Sequence, residues 1–273
     1  MQKQALALDL PPVSVIIPAY NEEKWVGTTV SSVLESGFPC ELIVVDDGST
    51  DSTPRILASF SDRATIITHA QNRGKGAAVA SGLRAARGEI VIFCDAHVLG
   101  LHKSHLLMLT IPLVFQQAEV VIGAEVPPRP PLTGFNSPMW ILNGQRAYYK
   151  KHLMPLLDSL DSLGFGLEVF LHNRFRDLRT IIVPLPGMQH LLKKDTSSPK
   201  SAALAYAKEM SEVVRAIAGI ESLTPRELTQ FKDSISLAFA EYWPRGREEG
   251  KQSLRSLREL LGRSRGPHDE SEK

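Results

Sequence analysis

Asp95 and His97 stand two residues apart, just after the apolar run Ile90–Cys94, in the stretch IVIFCDAHV. In an extended chain alternate side chains share a face, so a carboxylate and an imidazole at this spacing form a metal clip. The carboxylate is a hard ligand, and the imidazole suits manganese, iron, cobalt or zinc better than magnesium. A loop that merely contains Asp and His, with His97 as a hydrogen-bonding neighbour, is the alternative. Two other polar tips follow apolar runs: PAYNE, with Pro18, Tyr20 and Glu22, and DDGST, with Asp46 and Asp47. One of that aspartate pair is expected to cap the helix that follows. NRGKGAA places Arg73 and Lys75 among glycines at a helix start, where free backbone N–H groups favour anions. It lacks the Walker spacing of a P-loop, and no Gly-x-Gly-x-x-Gly follows a strand.

Strands must hold these tips. Val13–Ile17, Leu42–Val45, ATIITH, EIVIFCD and AEVVIGAEV read as β-branched, buried strands. Between them lie helical patterns: Glu22–Glu35 with Asn21 as N-cap, a helix capped near Ser49 or Asp51, and the Ala-rich GKGAAVASGLRAA. Strands alternating with helices predict βαβ units and a mostly parallel α/β sheet. Ligands of such sheets sit beyond the carboxyl ends of the strands, where PAYNE, DDGS and CDAH all fall. The Pro- and Gly-dense Pro127–Pro138 breaks the pattern, as a lid or a connector. GQRAYYKKHL and LGFGLEVFLHNRF then read as helices and RTIIVPL as a strand. His102 and His105 are expected on the surface of a helix.

The chain has 273 residues, a formal net charge of +1, 43% hydrophobic and 22% charged residues, as a soluble globular protein does. That balance argues against nucleic acid as a partner. Cys40 and Cys94 adjoin apolar runs and read as buried thiols in a reducing compartment. No apolar stretch approaches the roughly 18–20 residues that span a bilayer, and the N-terminus lacks a signal-peptide core. The expected location is cytoplasmic, with contact at the inner membrane face left open.

VSVIIPAYNEE, LIVVDDGSTD, NRGKGAAVASGL and ARGEIVIFCDAH, in this order and spacing, resemble family 2 glycosyltransferases of the GT-A fold. NGQRAYYKK and GFGLEVFL look like later segments of the polyprenyl-phosphate sugar transferase branch. The resemblance covers about residues 13–190. It implies a Rossmann-like, mostly parallel mixed sheet flanked by helices. The expected organisation is a tail over 1–12, the transferase domain over 13–195, a helical C-terminal extension over 196–262 and a disordered tail over 263–273. The extension's basic amphipathic segment GKQSLRSLRELLGRSR suits a membrane surface, and its apolar helix before that suits packing or a homodimer.

The resemblance also implies a chemistry. The family carries Asp-X-Asp where this chain has Asp95-Ala96-His97. A similar Asp-X-His occurs in the polypeptide N-acetylgalactosaminyltransferases, which bind manganese. There, as in glucosyl-3-phosphoglycerate synthases, a further His completes the protein ligands. His190, in VPLPGMQH, is its counterpart here. The metal set is therefore Asp95, His97 and His190, around a divalent cation, manganese first and magnesium second. Such an ion neutralises a diphosphate leaving group. Pro18, Tyr20, Glu22, Asp47, Arg73, Lys75 and Asp95 would hold the nucleotide, with Asp47 accepting from the base. Arg146 would bind an acceptor phosphate bidentately, against the alternative of a helix-surface Arg. Glu168 would act as base or orient the acceptor, against a helix carboxylate in an ion pair. The resulting expectation is a metal-dependent transferase, inverting by its resemblance to family 2 over most of the motifs, against the retaining outcome of the enzymes that share Asp-X-His. It would move a sugar from a UDP or GDP donor to a lipid-linked or small phosphorylated acceptor. A binding protein that kept the fold and lost catalysis is the rival. A nucleotidyltransferase is disfavoured, since PAYNEE has no Gly-rich, Arg-containing loop.

Overall fold

The computed structural model describes residues 10–126, 143–163 and 166–190, with the backbone alone of His190. The Pro-rich segment 127–138, the helices expected from Ser198 onward and the C-terminal tail lie outside the described residues.

The chain runs β1 (Val13–Ala19), α1 (Val26–Glu35), β2 (Glu41–Asp46), α2 (Thr53–Ala58), β3 (Thr65–Thr68), α3 (Lys75–Ala85) and β4 (Ile90–Phe93). A two-residue β5 (Val98–Leu99), α4 (Lys103–Val114) and β6 (Val120–Val126) follow. Then come β7 (Arg146–Tyr149), α5 (Lys150–Leu153), α6 (Leu157–Asp161), α7 (Leu167–Arg174), β8 (Thr180–Pro186) and β9 (Gln189–His190). Among the described residues one seven-stranded sheet has the order β3-β2-β1-β4-β7-β6-β8, and β5 pairs with β9 beside it. All neighbours in the large sheet are parallel except β7, which runs antiparallel to both β4 and β6.

Strand alternation splits the core into two layers. Val15 and Ile17 face α1, α2 and α4 with Val30, Leu57 and Leu106. Ile16 faces the other way, onto α3 and the later helices, with Val79, Leu83, Leu160 and Leu171. Helix α3 is Ala-rich because it is buried nearly all round: Ala77, Ala78, Val79 and Ala80 are each 0% exposed. Its glycine at position 76 is a packing requirement, since a Cβ there would lie 2.3 Å from the Leu163 carbonyl oxygen.

Three local expectations give way to tertiary contacts. Helix α1 begins at Val26, and Asn21 sits at φ 55° instead of capping it. Asn21 instead locks PAYNE to DDGST: its N–H donates to Ser49 Oγ at 2.9 Å, and its Oδ1 accepts from Thr50 N at 2.8 Å. The segment GQRAYYKKHL is not one helix. Residues 146–149 pair with Ile90–Phe93 and Val120–Ile122 as a central strand, with helix only from Lys150. The sheet thereby receives the β-favouring Tyr148 and Tyr149. His105 is 1% exposed: its Nδ1 accepts from His102 N and its Nε2 lies 2.9 Å from the Pro186 carbonyl. It ties α4 to the end of β8 and is no surface residue.

Candidate active site

The site forms where β1, β2 and β4 end on the same edge of the sheet. Asp46 closes β2 and is 0% exposed. Its Oδ1 accepts from Ser49 N at 3.0 Å, while its Oδ2, also buried, has no hydrogen-bond partner among the described residues. A buried carboxylate oxygen left unsatisfied is costly, so it marks a place for a donor from outside the chain. The neighbouring Asp47, expected to take that role, is otherwise committed. Its carboxylate lies 2.6 Å from His69 Nδ1 and accepts from the N–H groups of Arg73 (3.0 Å) and Gly74 (2.7 Å). His69 Nε2 in turn lies 2.9 Å from Ser81 Oγ on α3. Asp47 thus ties the end of β2 to the Arg73–Lys75 turn, while Asp46 Oδ2 stands without a partner among the described residues.

That turn delivers Lys75 into the site. Its Nζ lies 2.6 Å from Asp95 Oδ1 and 2.5 Å from Glu168 Oε1. All three groups are largely buried. Burial works against the charged amine, but the two carboxylates more than offset it and hold the Lys75 ammonium well above the ordinary lysine range. Glu168 stands in the first turn of α7, where the helix N-terminus favours a carboxylate. Arg73 is turned outward, with Nη2 3.3 Å from Asp161 and a half-exposed side chain.

Asp95 is held from every side. Its Oδ2 accepts from Gln145 Nε2 at 3.1 Å. The backbone of Gly144 is pressed against the same carboxylate, so closely that a Cβ on Gly144 would lie 2.1 Å from Oδ2. Beyond Asp95, the loop to β5 is pinned by the buried Thr29 of α1. The Thr29 hydroxyl donates to the Ala96 carbonyl at 2.9 Å and accepts from Val98 N at 3.2 Å. His97 Nδ1 lies 2.9 Å from Glu22 Oε1, which joins PAYNE to the Asp-X-His motif. Tyr20 stands at the rim, 44% exposed.

Arg146 is neither on a helix nor on a surface. It is 1% exposed, its Nε donates to the Asn143 carbonyl at 2.7 Å, and Nη1 donates to Tyr148 Oη at 3.3 Å. With Pro18, Lys75, Asp95, Gly144 and Glu168 it lines a crevice beneath the site. His190 lies opposite Val98 across the β5–β9 pair, while its side chain lies outside the description. Among the described residues no three His, Cys, Asp or Glu side chains converge as a metal cage. Asp95 and His97, one oxygen and one nitrogen ligand at a strand tip, fit an ion that takes further ligands from a diphosphate.

The sequence had pointed to Asp95, Glu168, Lys75 and Arg146, which meet here. Gly144, Gln145, Thr29, His69 and Ser81 were missed. A glycine and an amide directly before Arg146 were the one available signal.

Comparisons with known proteins bear on this arrangement. The chain is 38% identical over 113 residues to a dolichyl-phosphate beta-glucosyltransferase of Mus musculus, covering 35% of each chain. It is 34% identical over 111 residues to a glucosyl-3-phosphoglycerate synthase of Mycolicibacterium paratuberculosis, covering 37% of this chain and 33% of that one. These matches thus span about a third of the relatives' length. Two solved structures share the fold. One is glucosyl-3-phosphoglycerate synthase from Mycobacterium tuberculosis in complex with Mn2+, UDP and glucosyl-3-phosphoglycerate. It has a TM-score of 0.58 and 24% identity, over 79% of this chain and 82% of that one. The other is S. aureus TarS 1-349 in complex with UDP-GlcNAc, with a TM-score of 0.58 and 18% identity, over 93% and 81%. The family model described as Glycosyl transferase family 2 matches residues 14–151. With just over half of its 273 residues matched by that model, the chain belongs to glycosyl transferase family 2.

Proposed function

We propose that the protein is a glycosyltransferase that moves a sugar from a nucleoside diphosphate sugar to a phosphorylated acceptor. One observation carries the reading: a buried carboxylate oxygen on Asp46, unpartnered among the described residues, and the Lys75–Asp95–Glu168 cluster share one edge of the sheet. The first suits a nucleobase N–H. The second suits a diphosphate and a reacting sugar. The relatives named for dolichyl phosphate and for phosphoglycerate both favour a phosphorylated acceptor.

In this reading Asp46 Oδ2 accepts from the base, and Tyr20 covers it from the rim. Asp47, with His69, sets the 73–75 turn against the diphosphate. Asp95 and His97 would hold a divalent ion, manganese before magnesium, with His190 as a third protein ligand. That ion supplies Lewis-acid neutralisation of the leaving diphosphate. An acceptor oxygen attacks the anomeric carbon from the face opposite the diphosphate, and the bonding electrons leave with the nucleoside diphosphate. Glu168 takes the proton when the acceptor is a hydroxyl, and orients the acceptor when it is already a phosphate dianion. Arg146, a buried cation at the floor, offsets acceptor charge. A lipid-linked acceptor would place the enzyme at the cytoplasmic face of a membrane. Among the described residues no helix is long and apolar enough to cross one.

Titration calorimetry with UDP- and GDP-sugars, each with and without manganese, tests the proposal. Binding of one donor series, strengthened by manganese and followed by donor hydrolysis, is the expected result. No nucleotide binding under any metal condition refutes it. Binding without hydrolysis or transfer to any phosphorylated acceptor points to the rival, a nucleotide-sugar-binding protein without catalysis.

A further inference from the structure

Both oxygens of Asp95 are engaged by the chain's own donors, Lys75 Nζ on Oδ1 and Gln145 Nε2 on Oδ2. Each oxygen keeps a second lone pair, but a divalent cation on Asp95 would stand beside an ammonium already 2.6 Å from Oδ1, and like charge opposes it unless that ammonium moves away. The Gln145 side is rigid: Gly144 is packed on the carboxylate and Arg146 is locked in β7. The Lys75 side is not. Its ammonium is a compact charge on a flexible four-carbon stem, and its backbone begins α3 after Gly74 at φ 98°. The same ammonium also holds Glu168. Without it, two carboxylates that are 7% and 8% exposed would face each other with no cation between them.

We propose that Lys75 is a tethered stand-in cation: it holds Asp95 and Glu168 in place while no donor is bound. The donor's diphosphate draws it off Asp95, and only then is that carboxylate opened to a divalent ion. The inference rests on the proposed function and extends it: metal and nucleotide bind as one coupled event. A metal ion arriving alone meets a carboxylate already neutralised. An ion arriving with the diphosphate meets one whose lysine has a better partner, three or more anionic oxygens at the anion-favouring start of α3. Glu168 is released in the same exchange, so its carboxylate is free to receive a proton only when donor is present.

The test is manganese binding to the full chain, followed by electron paramagnetic resonance of the free ion, with no turnover required. In the wild type, saturating UDP or GDP is expected to tighten manganese binding about 5- to 150-fold, the range of a coupling of this kind. Lys75→Gln is expected to bind manganese alone more tightly than the wild type and to lose most of the nucleotide enhancement. Lys75→Arg, which keeps a cation there, is expected to retain it. Unchanged affinity of Lys75→Gln for manganese alone overturns the proposal. Should that variant fail to fold, the wild type decides: manganese that binds equally well with and without nucleotide overturns it too. Absence of nucleotide binding in the wild type overturns the proposed function instead, a distinct result.

Discussion

Gly144→Ala isolates the close approach on which the Asp95 geometry depends. Its Cβ would lie 2.1 Å from Asp95 Oδ2, 2.4 Å from Oδ1 and 2.5 Å from Cγ. Ordinary contact begins at 3.4 Å, so the carboxylate or the 143–145 segment must retreat by about 1 Å, a misplacement that can cost roughly 100-fold in rate. The retreat also lengthens the bonds to Lys75 and Gln145, now 2.6 and 3.1 Å. Overpacking of this kind costs about 1–3 kcal/mol of stability. The backbone is not at issue, since Gly144 is not among the glycines at positive φ. The control is Gly27→Ala in α1, whose Cβ would meet only the γ2 methyl of Ile56, at 3.3 Å, a contact relieved by a shift of about a tenth of an ångström. It should change stability by no more than about 1 kcal/mol, toward greater helix stability. Donor affinity by calorimetry, donor hydrolysis and thermal unfolding of both variants form the assay. If Gly144→Ala kept wild-type affinity and rate within twofold and the wild-type Tm, Asp95 would not depend on that contact.

Asp46→Asn should weaken donor binding about 10- to 150-fold, the loss of one hydrogen bond to a charged acceptor, with little change in Tm. Asp47→Asn should instead lower Tm and speed amide exchange at Arg73 and Gly74; the reverse pattern would return base recognition to Asp47. Burial pushes the Glu41 carboxyl up, but hydrogen bonds from Ser14 and the backbone of Arg87 and Gly88 outweigh it, leaving it below its ordinary 4.5. A depressed carboxyl stabilises the fold above that pH and loses the contribution as pH falls through the folded value, so Glu41→Gln should flatten the acid limb of stability measured by urea unfolding, and an unchanged limb would refute this. His97→Asp, which restores the family's Asp-X-Asp, should fail to improve nucleotide-dependent manganese binding because it sets a carboxylate against Glu22. Adding Glu22→Gln should recover part of the loss, and a double-mutant cycle with no coupling would refute the pairing.

How much of this was legible depended on how far each contact reaches along the chain. Strand cores and their polar tips are local patterns, and Val13–Ile17, Leu42–Val45 and Ile90–Phe93 declare themselves. Arg146 misled because Lys150–Leu153 is helical and the pattern was extended backward over residues whose state is set by pairing with β4, more than fifty positions earlier. Asn21 resembles an N-cap by type and position, yet its partners Ser49 and Thr50 belong to the next βα turn. His105 reads as polar on a helix, and only the carbonyl of Pro186 explains its burial. The choice between Asp46 and Asp47 turns on which oxygens other segments consume, and adjacent identical residues carry no local mark of that.

The departure from Asp-X-Asp is therefore better understood through its neighbours than by the motif itself. An Asp at position 97 would stand beside Glu22, two residues from Asp95, adding a carboxylate to an already acidic strand tip. With His97 the chain instead faces Glu22 with an imidazole at 2.9 Å and balances Asp95 and Glu168 with Lys75. The Lys75 ammonium thus matches part of the charge of two buried carboxylates before any ligand enters, which helps these acidic groups tolerate burial. The same matching makes entry conditional, because an incoming cation must find an anion for Lys75. A nucleoside diphosphate would meet both needs in the proposed reading, its diphosphate as the anion for Lys75 and its base as a donor for Asp46 Oδ2.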